Sequence, residues 1–288
     1  MKIAVLGGNG YLGGRVATDL SEAYDVTIVT RRPFVLKNCD NLVLNFREIF
    51  FHTLSRFDVI VNCVGGNRDE IEADPENANE LKQNLINNLC DLSEIKKIFV
   101  LHVSSKHVYS VVKHRDVDNH YALSHLNAEK MLEKKISGSN GSGYQILRLA
   151  NCFGSPASNS QEFSRLFLNQ IITGILKKNE CPHVRNPKTM SSFVPLSVVS
   201  SYLKEIFRDP FSIQDKVIDL GMPYSFFLGD AEKIVREIFS GNDTKKNIFF
   251  VASSYGESFI KRWPEYADFS YFVNEVNAFK LEYKSFLK

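Results

Sequence analysis

The chain has 288 residues, 44% of them hydrophobic, and a formal net charge of +2. That length suits one large α/β domain, or a nucleotide domain with a smaller partner. The near-neutral balance supplies no electrostatic field for nucleic acid or a membrane surface, so neither is expected as a partner. Five cysteines (Cys39, Cys63, Cys90, Cys152, Cys181) are odd in number and lack Cys-x-x-Cys spacing. They read as reduced thiols, not as a disulfide framework or a zinc site. With no signal-peptide pattern before the first strand and no apolar run long enough to cross a bilayer, the expected compartment is the cytoplasm.

Ile3–Leu6 reads as a buried strand running into glycines at Gly7, Gly10 and Gly13. The first allows a tight turn, the second lets the backbone approach a pyrophosphate, and the third lets the next helix pack closely. The anion then meets that helix's amino end. Gly7, Gly10, Tyr11, Leu12 and Gly13 are therefore candidate cofactor ligands, with Tyr11–Leu20 as the amphipathic helix. Val26–Thr30 is the second strand and Asn41–Asn45 the third. Where NAD users place a carboxylate for the ribose 2′-hydroxyl, the second strand ends in Thr30-Arg31-Arg32. Paired arginines suit the 2′-phosphate of NADP, so Thr30, Arg31 and Arg32 are assigned to the cofactor and NADP is expected, with NAD as the alternative.

Phe57–Val64 is an apolar fourth strand, and it ends at Gly65-Gly66, where a backbone close to the cofactor needs small residues. Val64, Gly65 and Gly66 join the cofactor set. Asp74-Pro75-Glu76 starts a helix whose apolar positions are Leu81, Leu85, Leu89 and Leu92. Ile98–Ser104 is the fifth strand, Tyr121–Lys135 a long helix, Ser137–Gly143 a loop and Tyr144–Leu149 a further strand. Strands alternating with helices predict a Rossmann-type, doubly wound parallel sheet.

Beyond Gly154 the pattern is less regular. Ser155–Ser160 reads as a loop, Phe163–Leu176 and Leu196–Phe207 as helices, and Val217–Leu220 and Ile248–Val251 as short strands. Phe269–Leu287 reads as an aromatic-rich helix docked on its own domain. The expected organisation is a dinucleotide-binding domain over 1–154 and a smaller, mixed α/β C-terminal substrate-binding domain over 155–288, interleaved with the first.

Four segments fall in a recognisable order: Gly7-Gly8-Asn9-Gly10-Tyr11-Leu12-Gly13, Ser104-Ser105-Lys106-His107-Val108-Tyr109, Tyr121-Ala122-Leu123-Ser124-His125 and Leu147-Arg148-Leu149-Ala150-Asn151-Cys152-Phe153-Gly154. Over about residues 1–155 the chain resembles the extended short-chain dehydrogenase/reductase family, which includes nucleotide-sugar epimerases, dehydratases and reductases. The resemblance implies that Ser105 hydrogen-bonds the substrate oxygen and that Tyr121 exchanges a proton with it as hydride moves to or from nicotinamide. It also implies substrate contacts at Lys106 and Asn151, a nucleotide sugar as substrate, and a homodimer paired through the helices at Asp74–Leu92 and Tyr121–Lys135.

The family uses a lysine four residues after the tyrosine, one helical turn along; this sequence has His125. An unperturbed histidine titrates near ~6.5 and carries little charge at neutral pH, so it supports a tyrosinate less well than lysine does. Neutral Tyr121 still suffices to protonate the alkoxide formed when hydride reaches a ketone, which favours ketone reduction over an epimerising oxidation and reduction. The alternative is a dinucleotide-binding protein without catalysis. Without Tyr121 before it, His125 would read as a half-exposed helix histidine with ordinary hydrogen bonds.

Asn84 matches the family's asparagine behind the cofactor only weakly, and Arg148 reads as a structural ion pair. Arg165, Arg185 and Lys188 are available to a diphosphate. Ser191–Leu196 occupies the place of a family pattern whose two charged residues are missing here. No metal site is expected: His102, His107, His114, His120 and His125 span several elements without ligand spacing. Nor is a serine hydrolase, since no strand-to-helix elbow carries a nucleophile.

Overall fold

A computed structural model of the chain describes residues 1–45, 51–66, 68–136, 141–157, 166–177, 181–241, 251–252 and 268–286. β1 (Lys2–Leu6) leads through α1 (Tyr11–Leu20) to β2 (Asp25–Thr30) and β3 (Asp40–Val43). α2 (Phe51–Leu54), β4 (Val59–Asn62), α3 (Arg68–Ala73) and α4 (Pro75–Ile95) follow, then β5 (Phe99–Ser105), α5 (Val108–His114), α6 (His120–Ile136) and β6 (Gly143–Leu149). These strands and β9 (Val217–Leu220) form a seven-stranded sheet in the order β3-β2-β1-β4-β5-β6-β9. The pairs β1–β2, β1–β4, β2–β3 and β4–β5 are all parallel. This is the Rossmann-type α/β fold expected.

Burial explains the strands. Ile3–Leu6, Ile28, Val29 and Val59–Val61 have no exposed surface, as a parallel sheet covered by helices on both faces demands. β3 is the exposed edge, with Asp40 and Asn41 at its start, and it stops at Val43, short of the predicted Asn45. The chain order reverses between β1 and β4, so the carboxyl ends of those two strands border the crevice where such sheets take ligands.

α4 begins as expected. Asp74 caps it, accepting from Asn77 N–H at 3.3 Å, and Pro75 fills the first turn, where its missing donor costs nothing. The helix runs on to Ile95. Its buried stripe is Lys82, Leu85, Ile86, Leu89, Cys90, Leu92 and Ser93, which includes a lysine the leucine pattern did not predict.

The chain divides into two compact units: Met1–Arg148 with Leu203–Ile218, and Leu149–Tyr202 with Asp219–Lys288. In the first, the returning segment supplies Phe207, edge-on to Tyr24 and Phe99, and Lys204, whose carbonyl accepts from Tyr24 Oη at 3.1 Å. Lys216 O accepts from Ile146 N–H at 2.7 Å.

The second unit carries β7 (Asn151–Phe153), α7 (Phe167–Lys177), β8 (Met190–Pro195), α8 (Leu196–Ile206, in part), β10 (Tyr224–Phe227), α9 (Ala231–Ser240), β11 (Val251–Ala252) and α10 (Ser270–Phe286). Its four-stranded sheet runs β11-β10-β8-β7 and is mixed: β7–β8 parallel, the other pairs antiparallel. The core is aromatic, with Phe193 stacked on Phe226 at 4.8 Å and Phe269 on Phe272 at 5.1 Å. α10 buries Phe272, Val276, Phe279 and Tyr283 in that core, so it docks on its own unit. The expectations for 137–140, 158–160, 163–165, 248–250 and 287 lie outside the described residues, as does Arg165.

Candidate active site

The glycine loop has the backbone the sequence requires. Gly7 sits at φ +77°, and a Cβ on Gly13 would stand 2.4 Å from Gly7 O, a backbone atom that cannot step aside. α1 then starts at Tyr11 with Gly10 as its cap, no capping side chain and no acidic residue in its first turn. The amide hydrogens there are left without an intrachain anion, which fits a pyrophosphate. Tyr11 is buried and Leu12 half-buried.

β1 and β4 lie side by side, so the second glycine pair meets the first. A Cβ on Gly7 would touch the Cys63 carbonyl at 3.3 Å and the Val64 side chain at 3.4 Å. Gly66 also needs its glycine, at φ +69°. At the end of β2, Thr30 is fully buried; its hydroxyl donates to Arg32 O at 2.6 Å and accepts from Asn41 Nδ2 at 2.9 Å. Arg31 and Arg32 are exposed.

Tyr121 is fixed by the start of α6. Asn119 Oδ1 accepts from Ala122 N–H at 3.1 Å as a helix cap, and Glu72 Oε1 of α3 accepts from Tyr121 N–H at 3.1 Å. One turn on, the His125 ring lies 4.8 Å from the Tyr121 ring, edge to face, and His107 flanks the same ring at 5.8 Å. Ser105 closes β5; its Oγ accepts from His107 N–H at 3.3 Å, leaving the hydroxyl proton to donate. Lys106 follows, half-buried.

His125 is neither half-exposed nor hydrogen-bonded. It is 6% exposed, and neither ring nitrogen has a hydrogen-bond partner among the described residues. Burial first, then the charge of Lys82 and the neighbouring His102 and His107, hold its pKa well below that of free histidine, so it is neutral. His102, which the sequence placed apart, lies under the same site. Its Nδ1 accepts from Asn62 Nδ2 at 3.1 Å, and burial with the charge of Lys82 lowers its pKa to about 3. His107 falls to about 4, by burial and the charges of Lys106 and Arg68.

The residue that sequence reasoning missed is Lys82. It is 3% exposed; Nζ donates to Ser124 Oγ at 3.0 Å and stands 5.7 Å from the centre of the Tyr121 ring. A Cβ on Gly65 would meet Lys82 Cε at 3.4 Å and His125 Cε1 at 3.7 Å, so Gly65 abuts both side chains. Its signal was its place three and four residues before Leu85 and Ile86, on the buried stripe. Asn84 instead donates to Glu80 Oε1 on its own helix at 3.5 Å.

Arg148 is the ion pair expected. Its Nη2 donates to Glu129 Oε2 at 2.6 Å and Nη1 to Tyr109 Oη at 3.1 Å, while Ser104 Oγ donates to Glu129 Oε1 at 2.5 Å. Burial opposes the Arg148 charge, but the hydrogen bond and charge of Glu129 outweigh it and raise its pKa. The network ties β5, α6 and β6 together one residue before Ser105. Glu129→Ala strands the arginine charge, so unfolding should need about 3–5 kcal/mol less, read as a lower urea midpoint. An unchanged midpoint would mean that the pair does not hold these elements.

In the second unit, Asn151 Nδ2 donates to Ser191 Oγ at 2.5 Å, and Arg185 and Lys188 are exposed. Among the described residues no group of three or more His, Cys, Asp or Glu side chains could hold a metal ion, and no helix is long and apolar enough to cross a membrane.

Residues 3–194 match the family model described as NAD dependent epimerase/dehydratase family. No curated protein matches the chain by sequence. Among solved structures, the chain is similar to the UDP-N-acetylglucosamine 4-epimerase of Methanobrevibacter ruminantium M1, solved with UDP-N-acetylmuramic acid. The TM-score is 0.76 at 16% identity, over 99% of this chain and 98% of that one. It is similar to the UDP-glucose 4-epimerase of Thermotoga maritima, solved with UDP-glucose, at 0.76 and 15% over 100% of each. A third is WbmF of Bordetella bronchiseptica in complex with NAD+, at 0.73 and 16% over 99% and 93%. At these identities the likeness is one of fold.

Proposed function

Because the chain belongs to the NAD dependent epimerase/dehydratase family, we propose that it is an oxidoreductase that uses NADP to reduce a ketone of a nucleotide sugar. The observation that carries this reading is the convergence, within one unit, of the Gly7–Gly13 loop, the Gly65 turn, Ser105 and Tyr121. Bound there, the nicotinamide supplies the hydride. The Ser105 hydroxyl hydrogen-bonds the substrate oxygen, and Tyr121, neutral and beside a neutral His125, delivers the proton as negative charge develops on that oxygen. Titrating the chain by calorimetry with NADP, NAD and a panel of nucleotide sugars tests it, and failure to bind any dinucleotide would remove it.

Similar structures are solved with NAD or named for it. The choice of NADP rests on Arg31 and Arg32, exposed at the end of β2 where a ribose carboxylate is missing. Hydrogen bonds to charged groups contribute ~1.5–3 kcal/mol, so replacing both by alanine should weaken NADP binding roughly 10- to 100-fold and leave NAD binding nearly unchanged. Equal affinities before and after would return the assignment to NAD. The uncharged His125 supports one second reading, a protein that binds the dinucleotide without turnover; His125→Lys then leaves it inactive, whereas a working enzyme changes its pH profile.

A further inference from the structure

Lys82 is a buried amino group whose protonated form has no counter-ion among the described residues. Among the described residues no carboxylate pairs with it, and its hydrogen bond goes to the neutral Ser124 hydroxyl. Leaving such a charge unpaired in the interior is costly, and a fold gains nothing from it unless a negative charge arrives in use. The groups around it are known. From α6 come Tyr121, Ser124 and His125; from β5, His102; from the turn after β4, the backbone of Gly65. Glu72 of α3 reaches the Tyr121 amide, Glu70 lies beside Gly66, and Lys106 and Arg68 act on His107. Among the described residues, the group beside Nζ that can become an anion during an acid–base step is the Tyr121 phenol, whose ring lies 5.7 Å away.

We propose that Lys82 is the positioning residue for Tyr121: from α4 it supplies the positive charge that position 125 on α6 does not carry. When Tyr121 Oη gives its proton to a substrate oxygen, the phenolate left behind becomes the counter-ion that Lys82 lacks at rest. When the proton returns to Oη, the pair dissolves. Burial lowers the Lys82 pKa to about 7, so a phenolate beside it restores the ammonium. His125 contributes a neutral ring that holds the phenol from one side. This inference rests on the oxidoreductase reading for its purpose, but the pairing can be measured without substrate or cofactor.

Phenolate absorbance is titrated in the unsubstituted chain, with the spectrum of Tyr121→Phe subtracted to isolate one of eleven tyrosines. The Tyr121 midpoint should lie below the ~10 of free tyrosine, and Lys82→Met should raise it by about one pH unit. Lys82→Arg should hold it near the starting value. Methionine is an unbranched apolar side chain one heavy atom shorter than lysine and carries no charge to bury, so this variant should fold. Lys82→Gln, which keeps a hydrogen bond to Ser124, gives an independent check. The basic limb of kcat should move with the midpoint while dinucleotide affinity stays put. A midpoint unmoved in both Lys82→Met and Lys82→Gln overturns the proposal even if NADP binds normally. If no dinucleotide binds at all, the oxidoreductase reading falls and the phenol titration still decides about Lys82.

Discussion

Tyr121→Phe should lower kcat by ~10²–10⁴ on the substrate turned over, with dinucleotide affinity nearly unchanged. The substitution removes one oxygen and keeps the ring, and the ring is what His125 and His107 pack against at 4.8 and 5.8 Å. The backbone that places it, through the Asn119 cap and the Glu72 bond to the Tyr121 amide, involves no side-chain atom of Tyr121. The loss should therefore appear in the proton-coupled step and not in the fold. Stopped-flow measurement of nicotinamide absorbance in a single turnover separates the two. Full activity in Tyr121→Phe would assign the proton to another group, and Ser105, the hydroxyl at the end of β5, would be the next to substitute.

Stability should fall steeply as the solution is acidified below the ordinary histidine range. An unfolded histidine binds its proton near ~6.5, whereas folded His102 does so only at about 3 and His107 at about 4. Between those values the unfolded chain holds more protons, so the full stability present above ~6.5 is lost progressively as pH drops. At about pH 5 the His102 mismatch alone removes about 2 kcal/mol. His107 and the still more buried His125 add losses of the same sign. Lys82 acts likewise at higher pH: its folded value of about 7, against 10.5 for the free side chain, makes stability rise with pH across that interval. Urea midpoints compared at about pH 7.5 and pH 5 should differ strongly, and less so in His102→Gln. Equal midpoints would mean that these rings are protonated in the folded chain.

The first unit was legible because its signals are local. Gly7, Gly10 and Gly13 are demanded by turn geometry and close approach within a few residues, and the capping of α4 by Asp74 and Pro75 is written in three consecutive positions. α10 was legible as well, since a long apolar stripe needs no partner to be seen. The short strands β7, β8 and β10 were not, because three to six residues acquire strand character only by pairing with each other. α9 carries a signal that the sequence analysis does not use, with Ala231, Ile234, Val235 and Ile238 at helical spacing before a left-handed Gly241. Lys82 and His102 are a different matter. A lysine between Leu81 and Leu85 looks like any solvated charge until α6 is laid across it, and a histidine in β5 looks solitary until Asn62 of β4 reaches it.

The return of residues 203–218 to the first unit sets the order in which the protein can be completed. A growing chain that has reached residue 148 still lacks Phe207, Lys204 and the Lys216 carbonyl, which close contacts with Tyr24, Glu22 and Ile146. The first unit therefore cannot finish during the first half of synthesis, unlike an uninterrupted amino-terminal domain. A fragment ended at residue 148 is also not the minimal nucleotide-binding module it resembles on paper, because its Phe99 and Tyr24 rings would face water.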